Sequence, residues 1–496
     1  MTVATEGTLA LGILAATLVV ALVLSVRAGG ATSLEQWSLG SRGFGATFVF
    51  LLLAGEIYTT FTLLGGSGWA YGRGAPAYFI LASGAVAYVL GYWLLPAIWK
   101  RATSWRVLTQ PEYFARAYDS PRLGQLVSVV NLMALVPYLV LQLRGLGIIV
   151  SEASYGVIDA STAIWVGMLA TVCYVVLAGV RGSAHTAVLK DALVLVCVVG
   201  LGITLPFTLH GGIGPMFDRL VAVRPAFLLL PAQGLSASWY ASTVLLTVGG
   251  FFMWPHTFGT VFTARSEDAL RRNAVVMPIY QLILLFVFFI GFAAVLAVPG
   301  LEGAAMDLSL LRVTKQVYGP WIVGAVGAAG LLTALVPGSL ILMTCATILA
   351  RLVRRSGQDD AGSITVARAF VPVVAAVALL FTFRGGETLV ALLLLAYSIV
   401  TQLFPALLGS LLWPRFVTAP GASAGLLVGV GMVALTDIGG LSLTRQLSGW
   451  PTAITDVNPG VVAVFGNVVT LLAVSAATRN RRTPGTPASL PPMTIR

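Results

Sequence analysis

Residues 44–72 read FGATFVFLLLAGEIYTTFTLLGGSGWAYG. The run is long enough to cross a bilayer, yet it carries Glu56 among apolar neighbours and ends in Gly65-Gly66-Ser67-Gly68. A carboxylate inside a membrane segment costs about 2.5–3.5 kcal/mol on insertion scales, so it faces protein or water rather than lipid. The glycine cluster predicts a break in the helix, and irregular backbone at membrane depth survives only around a cavity or inside protein. Interrupted helices of this kind build solute and ion sites in membrane carriers. The plainer alternative is a helix end, with a glycine turn and a glutamate facing one polar neighbour.

The rest of the chain has the same solvent. Of 496 residues, 58% are hydrophobic and only 9% charged, and the mean hydropathy is +0.93, which excludes a soluble globular protein. Apolar runs recur from end to end, each about the twenty residues that a hydrocarbon core demands. Thirteen spans are expected, at 7–28, 44–72, 76–99, 123–150, 162–180, 187–209, 237–262, 275–298, 319–350, 364–383, 388–412, 421–436 and 459–477. The first lacks a basic leader and is too long for a signal-peptide core, so it reads as an uncleaved helix. The expected organisation is a single transmembrane domain over 1–480, with a disordered cytoplasmic tail over 481–496.

A net charge of +11 could suggest nucleic acid, but the basic residues sit between apolar runs. With the amino terminus outside and the carboxyl terminus inside, they favour the cytoplasmic loops by roughly three to one. The expected location is the cytoplasmic membrane, and the expected partners are a small-molecule solute and lipid, with no nucleic acid. Cys173, Cys197 and Cys345 lie in or beside apolar segments without metal-ligand spacing and read as packing residues. Lys190 and Asp191, following Arg181, read as a cytoplasmic-end cluster whose long basic chain snorkels to water. Nothing resembles a Walker A loop, a zinc motif or a nucleophile elbow, so neither an ATP-driven pump nor an enzyme is expected, and no cofactor beyond a coupling ion.

A second interruption falls at Phe252-Met253-Trp254-Pro255-His256-Thr257, where proline removes a donor and frees a carbonyl one turn earlier. It falls in the seventh span, whose start lies five spans after that of the first broken one. Paired interruptions at corresponding positions of two halves point to an inverted-repeat carrier with its site between them.

Several residues could carry that chemistry. Glu56, Tyr58, Thr59, Thr60 and Thr62 give one helix a carboxylate and hydroxyls, and hard oxygen ligands suit an alkali cation while a carboxylate also suits a proton. The threonine hydroxyls could instead bond back to their own helix. Tyr138 and Gln142 lie four apart and face the same way. His256 follows the proline as a donor to an anion or a proton carrier. Tyr397, Ser398, Thr401 and Gln402 put polar groups in the eleventh span, where each could equally be interhelical glue. The expected solute ligands are Thr59, Tyr138, Gln142, His256 and Gln402; coupling is expected at Gly55, Glu56, Tyr58 and Thr333.

The chain resembles the sodium:solute symporter family over essentially its whole length. The most specific marks are Gln402-Leu403-Phe404-Pro405-Ala406-Leu407-Leu408-Gly409, Leu412-Trp413-Pro414-Arg415, Gly421-Ala422 and Gly425. Leu39-Gly40-Ser41-Arg42, Thr109-Gln110-Pro111-Glu112-Tyr113, and Tyr138 with Gln142-Leu143 resemble the family's earlier motifs. Gly55-Glu56-Ile57-Tyr58-Thr59, Trp254-Pro255-His256 with Arg271-Arg272-Asn273, and Ala334-Leu335-Val336-Pro337 look most like its monocarboxylate permease branch. That branch takes up small acids such as lactate, pyruvate and acetate.

The resemblance implies an all-α, leucine-transporter-type core, with a first five-span repeat over 44–209 and an inverted second over 237–412. It also implies a sodium ion at the carbonyls of Gly55 and Tyr58 and at a hydroxyl pair aligned with Thr333 and Ala334. Here the chain departs from the pattern: Ala334, Val336 and Pro337 supply no side-chain oxygen, while Thr333 does and Glu56 lies close in sequence to the carbonyls. Sodium at a rebuilt site and proton coupling both remain open. A sensor that binds the same solutes without moving them and a channel are the rival classes. The absence of a signalling domain disfavours the first, and paired breaks disfavour the second.

Overall fold

In hydrocarbon every backbone amide must find its partner within the chain, and helices do so residue by residue. The computed structural model describes residues 3–28, 30–354, 360–384, 387–441 and 449–479, and among them helix is the rule and no strand is formed. The expected tail over 481–496 lies outside the described residues. The membrane-crossing helices are α1 (Ala4–Ala28), the pair α2 (Ala46–Ile57) and α3 (Phe61–Arg73), α4 (Ala75–Trp105), α5 (Pro121–Ala153) and α6 (Ala160–His210). Then come the pair α7 (Ala237–Gly250) and α8 (Pro255–Thr263). After them follow α9 (Glu267–Ala297), α10 (Pro320–Val353), α11 (Gly362–Thr382), α12 (Leu389–Leu412), α13 (Ala419–Asp437) and α14 (Pro459–Thr478). The protein is a multi-pass membrane protein.

Length and composition alone single out ten spans among the described residues, or eleven with α2 and α3 taken as one bent span, rather than thirteen. Two features account for the difference. The expected spans 162–180 and 187–209 run together in α6, which turns at Gly179 (φ 63°, ψ −160°). That φ suits glycine, and a Cβ there would lie 2.5 Å from the Trp37 ring. The same indole donates to the Val175 carbonyl, one turn before the kink (3.1 Å). The expected span 237–262 is divided into α7 and α8, each too short to cross alone.

The first break is also not where the glycines are. Tyr58 leaves helical geometry (φ −89°, ψ 83°), and the axes of α2 and α3 diverge by 49°. Threonine hydroxyls hold the turn: Thr62 Oγ1 accepts from Thr59 N (2.9 Å) and donates to Thr59 O (3.0 Å), while Thr59 Oγ1 accepts from Phe61 N (3.2 Å). Gly65 to Gly68 lie inside α3, where small residues let helices approach. A Cβ on Gly68 would sit 2.9 Å from Asp307 Oδ1 and from the Met306 carbonyl. Asp307, between α9 and α10, accepts from Leu389 N at the start of α12 (3.0 Å).

The second break does fall at its proline. Pro255 opens α8, and the Met253 carbonyl just before it accepts from Gln110 Nε2 (2.9 Å). Phe44 N donates to Thr263 O (3.1 Å) and Arg265 N to Phe44 O (3.0 Å). The start of the first broken span thus meets the end of the second, and the two cross the bundle in opposite senses. α10 is the most enclosed span and packs against α1, α5 and α6.

Candidate functional site

Side chains from the turns of α2–α3 and α7–α8 face one another. Between them lies a hollow of about 70 Å³. Its walls are largely aromatic. The Trp254 ring lies 4.7 Å from Tyr138 and 5.1 Å from Tyr397, edge-on to the latter, and Tyr138 lies 5.5 Å from His256. Aromatic rings give a small apolar solute much contact area with little loss of rotamer freedom.

Polar groups are interspersed among the rings. Glu56 faces the hollow, and its Oε1 accepts from Thr260 Oγ1 on α8 (2.8 Å), which joins the two breaks directly. It is the one carboxylate among the described residues lining the hollow. His256 is buried with Nδ1 unpartnered, and Gln281, on α9, lines the same space with Oε1 unpartnered. Buried polar atoms without partners are uncommon and mark places where a ligand or water completes the set. Thr247 and Ser83, also in the wall, are already bonded to each other (2.6 Å).

Not every expected ligand is in the wall. Tyr138 and His256 are. Thr59 Oγ1 accepts from Phe61 N at the break, and the hydroxyl also meets Tyr138 of the wall. Gln142 lies behind α3, where Oε1 accepts from Thr60 Oγ1 (2.8 Å). Gln402 is interhelical: Nε2 donates to Ser398 O (3.0 Å), and Asn467 Nδ2 donates to its side-chain and backbone oxygens (3.2 and 2.7 Å). Gln281, Tyr88, Ser83, Thr247, Thr257 and Thr260 were not anticipated. Gln281 alone had a signal, a lone amide in the apolar run after Pro278.

Beneath the hollow the residues expected at the coupling site take an unexpected partner. Lys190 is not at a cytoplasmic end: its side chain is wholly buried, and Nζ donates to Gly55 O and Tyr58 O (3.2 Å each). Snorkelling fails for it because α6 carries it to the break in α2, where the kink at Tyr58 leaves carbonyls in need of donors. Thr59 N, which a regular helix would aim at Gly55 O, donates to Ile57 O instead. Asp191 Oδ1 sits 2.9 Å from Nζ, and the two form a buried ion pair.

The fit to a sodium ion can be judged from these atoms. Both carbonyls are engaged by an ammonium, and Thr333 Oγ1 donates back to Gly330 O (2.6 Å). Ala334 adds no oxygen, and Val336 turns a methyl towards Gly55. A hard cation needs converging oxygens. Thr333 Oγ1 keeps its lone pairs, but both carbonyls are occupied, Asp191 already faces the ammonium and the rest of the wall is apolar, so these residues do not fit it.

Comparison with known proteins completes the assignment. The family model described as "SSF: Sodium:solute symporter family" matches residues 37–429. The chain is 50% identical to the "Uncharacterized symporter YhjB" of Bacillus subtilis over 480 residues, 95% of this chain and 98% of the relative. It is 28% identical to the "Monocarboxylate transport permease protein" of Rhizobium johnstonii over 462 residues, 89% and 90% of the two chains. Among solved structures, a Na+-coupled sialic acid symporter in a substrate-bound outward-open state superposes with a TM-score of 0.76 at 16% identity, covering 96% of this chain and 98% of that one. With two opposed broken helices around a shared hollow, and a family model that spans most of its length, the chain belongs to the sodium:solute symporter family.

Proposed function

We propose that the protein imports a small monocarboxylate together with a cation, by alternating access around the hollow between the two breaks. Family membership supports cation-coupled symport, and the monocarboxylate permease relative supports the substrate class. The observation that carries the reading is a single carboxylate, Glu56, set among phenols, an imidazole and an amide. Tyr138, Tyr397, His256 and Gln281 offer donors to a carboxylate, and the rings around them suit its short apolar tail. Two carboxyl groups sharing so small a space cannot both carry unneutralised charge. The solute's anion therefore enters favourably only with a cation or proton, which is the physical content of coupling. Rocking of one repeat against the other then exposes the loaded site to the opposite side.

A solute amino group would serve Glu56 as well, so the test includes zwitterions. Purified protein in proteoliposomes is loaded with unlabelled pyruvate, acetate, lactate, alanine or proline, and uptake of labelled pyruvate is followed. The reading expects exchange with the three acids and little with the amino acids. Exchange with alanine or proline alone would replace the monocarboxylate by an amino acid.

A further inference from the structure

Ionisable residues inside a membrane core are rare and pair with one another or with backbone carbonyls. Lys190 does both. Its ammonium bridges the Gly55 and Tyr58 carbonyls at equal distance, with Asp191 beside it and Val336 against the same turn. We infer that the Lys190 ammonium stands on the broken first helix as a tethered cation, in the place the family gives to sodium, so that transport by this chain requires no sodium.

Three observations bear on it together. The two carbonyls exist as acceptors because Tyr58 leaves the helix, and they need a positive partner whether it is free or covalently attached. The ammonium supplies three donors from a compact point charge, and two go to these carbonyls. The opposite wall offers one hydroxyl oxygen instead of a pair: Thr333 alone, with Ala334 and Val336 presenting carbon. A sodium ion forced in beside Nζ, about 4 Å away, meets like-charge repulsion that weakens it by about a thousandfold at an effective dielectric constant near 20. A lysine here also fixes the break permanently, so the site is assembled without waiting for an ion.

The inference rests on the symporter reading only for its transport measurement; its binding measurement needs no solute. Purified full-length protein is melted in detergent over 0–200 mM NaCl, with choline chloride holding ionic strength constant. The expected result is no sodium-specific rise in melting temperature for the wild type. Lys190→Ala, which frees both carbonyls and the space between them, is expected to gain such a rise. A saturable sodium-specific rise in the wild type overturns the inference, whatever the variant does. In proteoliposomes, pyruvate exchange is expected to differ less than twofold between sodium-free and sodium-containing media, and a loss of tenfold or more without sodium overturns it. Should pyruvate, acetate and lactate all fail to exchange in either medium, the symporter reading falls, and the melting series alone decides whether Lys190 has taken the ion's place.

Discussion

Lys190→Met removes the ammonium and keeps most of the aliphatic stem, which makes it a sharp probe of the α2 break. Two consequences follow from the geometry. Asp191, only 8% exposed, loses its counter-charge, and breaking a buried pair in this way costs about 3–5 kcal/mol. The Gly55 and Tyr58 carbonyls lose their shared donor, at about 1 kcal/mol each. At about 2.1 cal/mol/K of unfolding entropy per residue, a chain of 496 residues loses roughly 1 °C of melting temperature per kcal/mol. Lys190→Met should therefore melt about 5–7 °C below the wild type. Adding Asp191→Asn should raise the melting temperature again, to about 2–3 °C below wild type, because only the carbonyls remain unserved. Melting in detergent, followed by tryptophan fluorescence across the four proteins of the cycle, measures this coupling. Additive losses, with the double variant below both single ones, would refute the pairing.

The hollow makes its own demands. Glu56→Gln keeps an acceptor for Thr260 Oγ1 but removes the charge, so the steady-state accumulation ratio of labelled pyruvate should fall to about 1 while membrane insertion is unchanged; undiminished accumulation would remove Glu56 from coupling. Trp254→Ala deletes the ring that Tyr138 and Tyr397 pack on and should raise KM for uptake about 10- to 100-fold, read against a melting control. Asp307, outside the spans, has its carboxyl pushed up to about 7 by burial, with the Leu389 amide pulling the other way. The folded state then holds a proton that the unfolded state has released, so its contribution is full below pH about 4 and is lost as pH rises through about 7. The melting temperature of the wild type relative to Asp307→Asn should fall between pH 5 and pH 8, and a flat difference would contradict that environment.

Much of this architecture was legible in the amino-acid sequence, because the bilayer punishes irregularity and charge so strongly that each exception shows. Glu56 and Pro255 stood out for that reason, and both lie at the breaks. The glycines at 65–68 misled, since in lipid a glycine serves close helix contact as readily as a turn; Gly68 makes room for Asp307. The true break is capped by Thr59 and Thr62, whose hydroxyls could equally have bonded within an unbroken helix. Gln402 matched the expected polar pattern but was consumed by Asn467, and Gln142 gave its Oε1 to Thr60, partners that no local spacing reveals, while Gln142 Nε2 stays unpartnered. Lys190 was the largest misreading. Its neighbours Arg181 and Asp191 look like a helix end, while its acceptors lie 135 and 132 residues earlier in the chain.

The central claim is that two opposed helix breaks enclose a site that moves a solute across the membrane. Counterflow in proteoliposomes tests it most directly: with millimolar unlabelled pyruvate inside and trace labelled pyruvate outside, no ion gradient and no voltage, the label should rise transiently above equilibrium and then decay. A label that only equilibrates, at a rate indifferent to internal pyruvate, would mean a channel, and none entering at all would mean a site that binds without transport; either result contradicts the account.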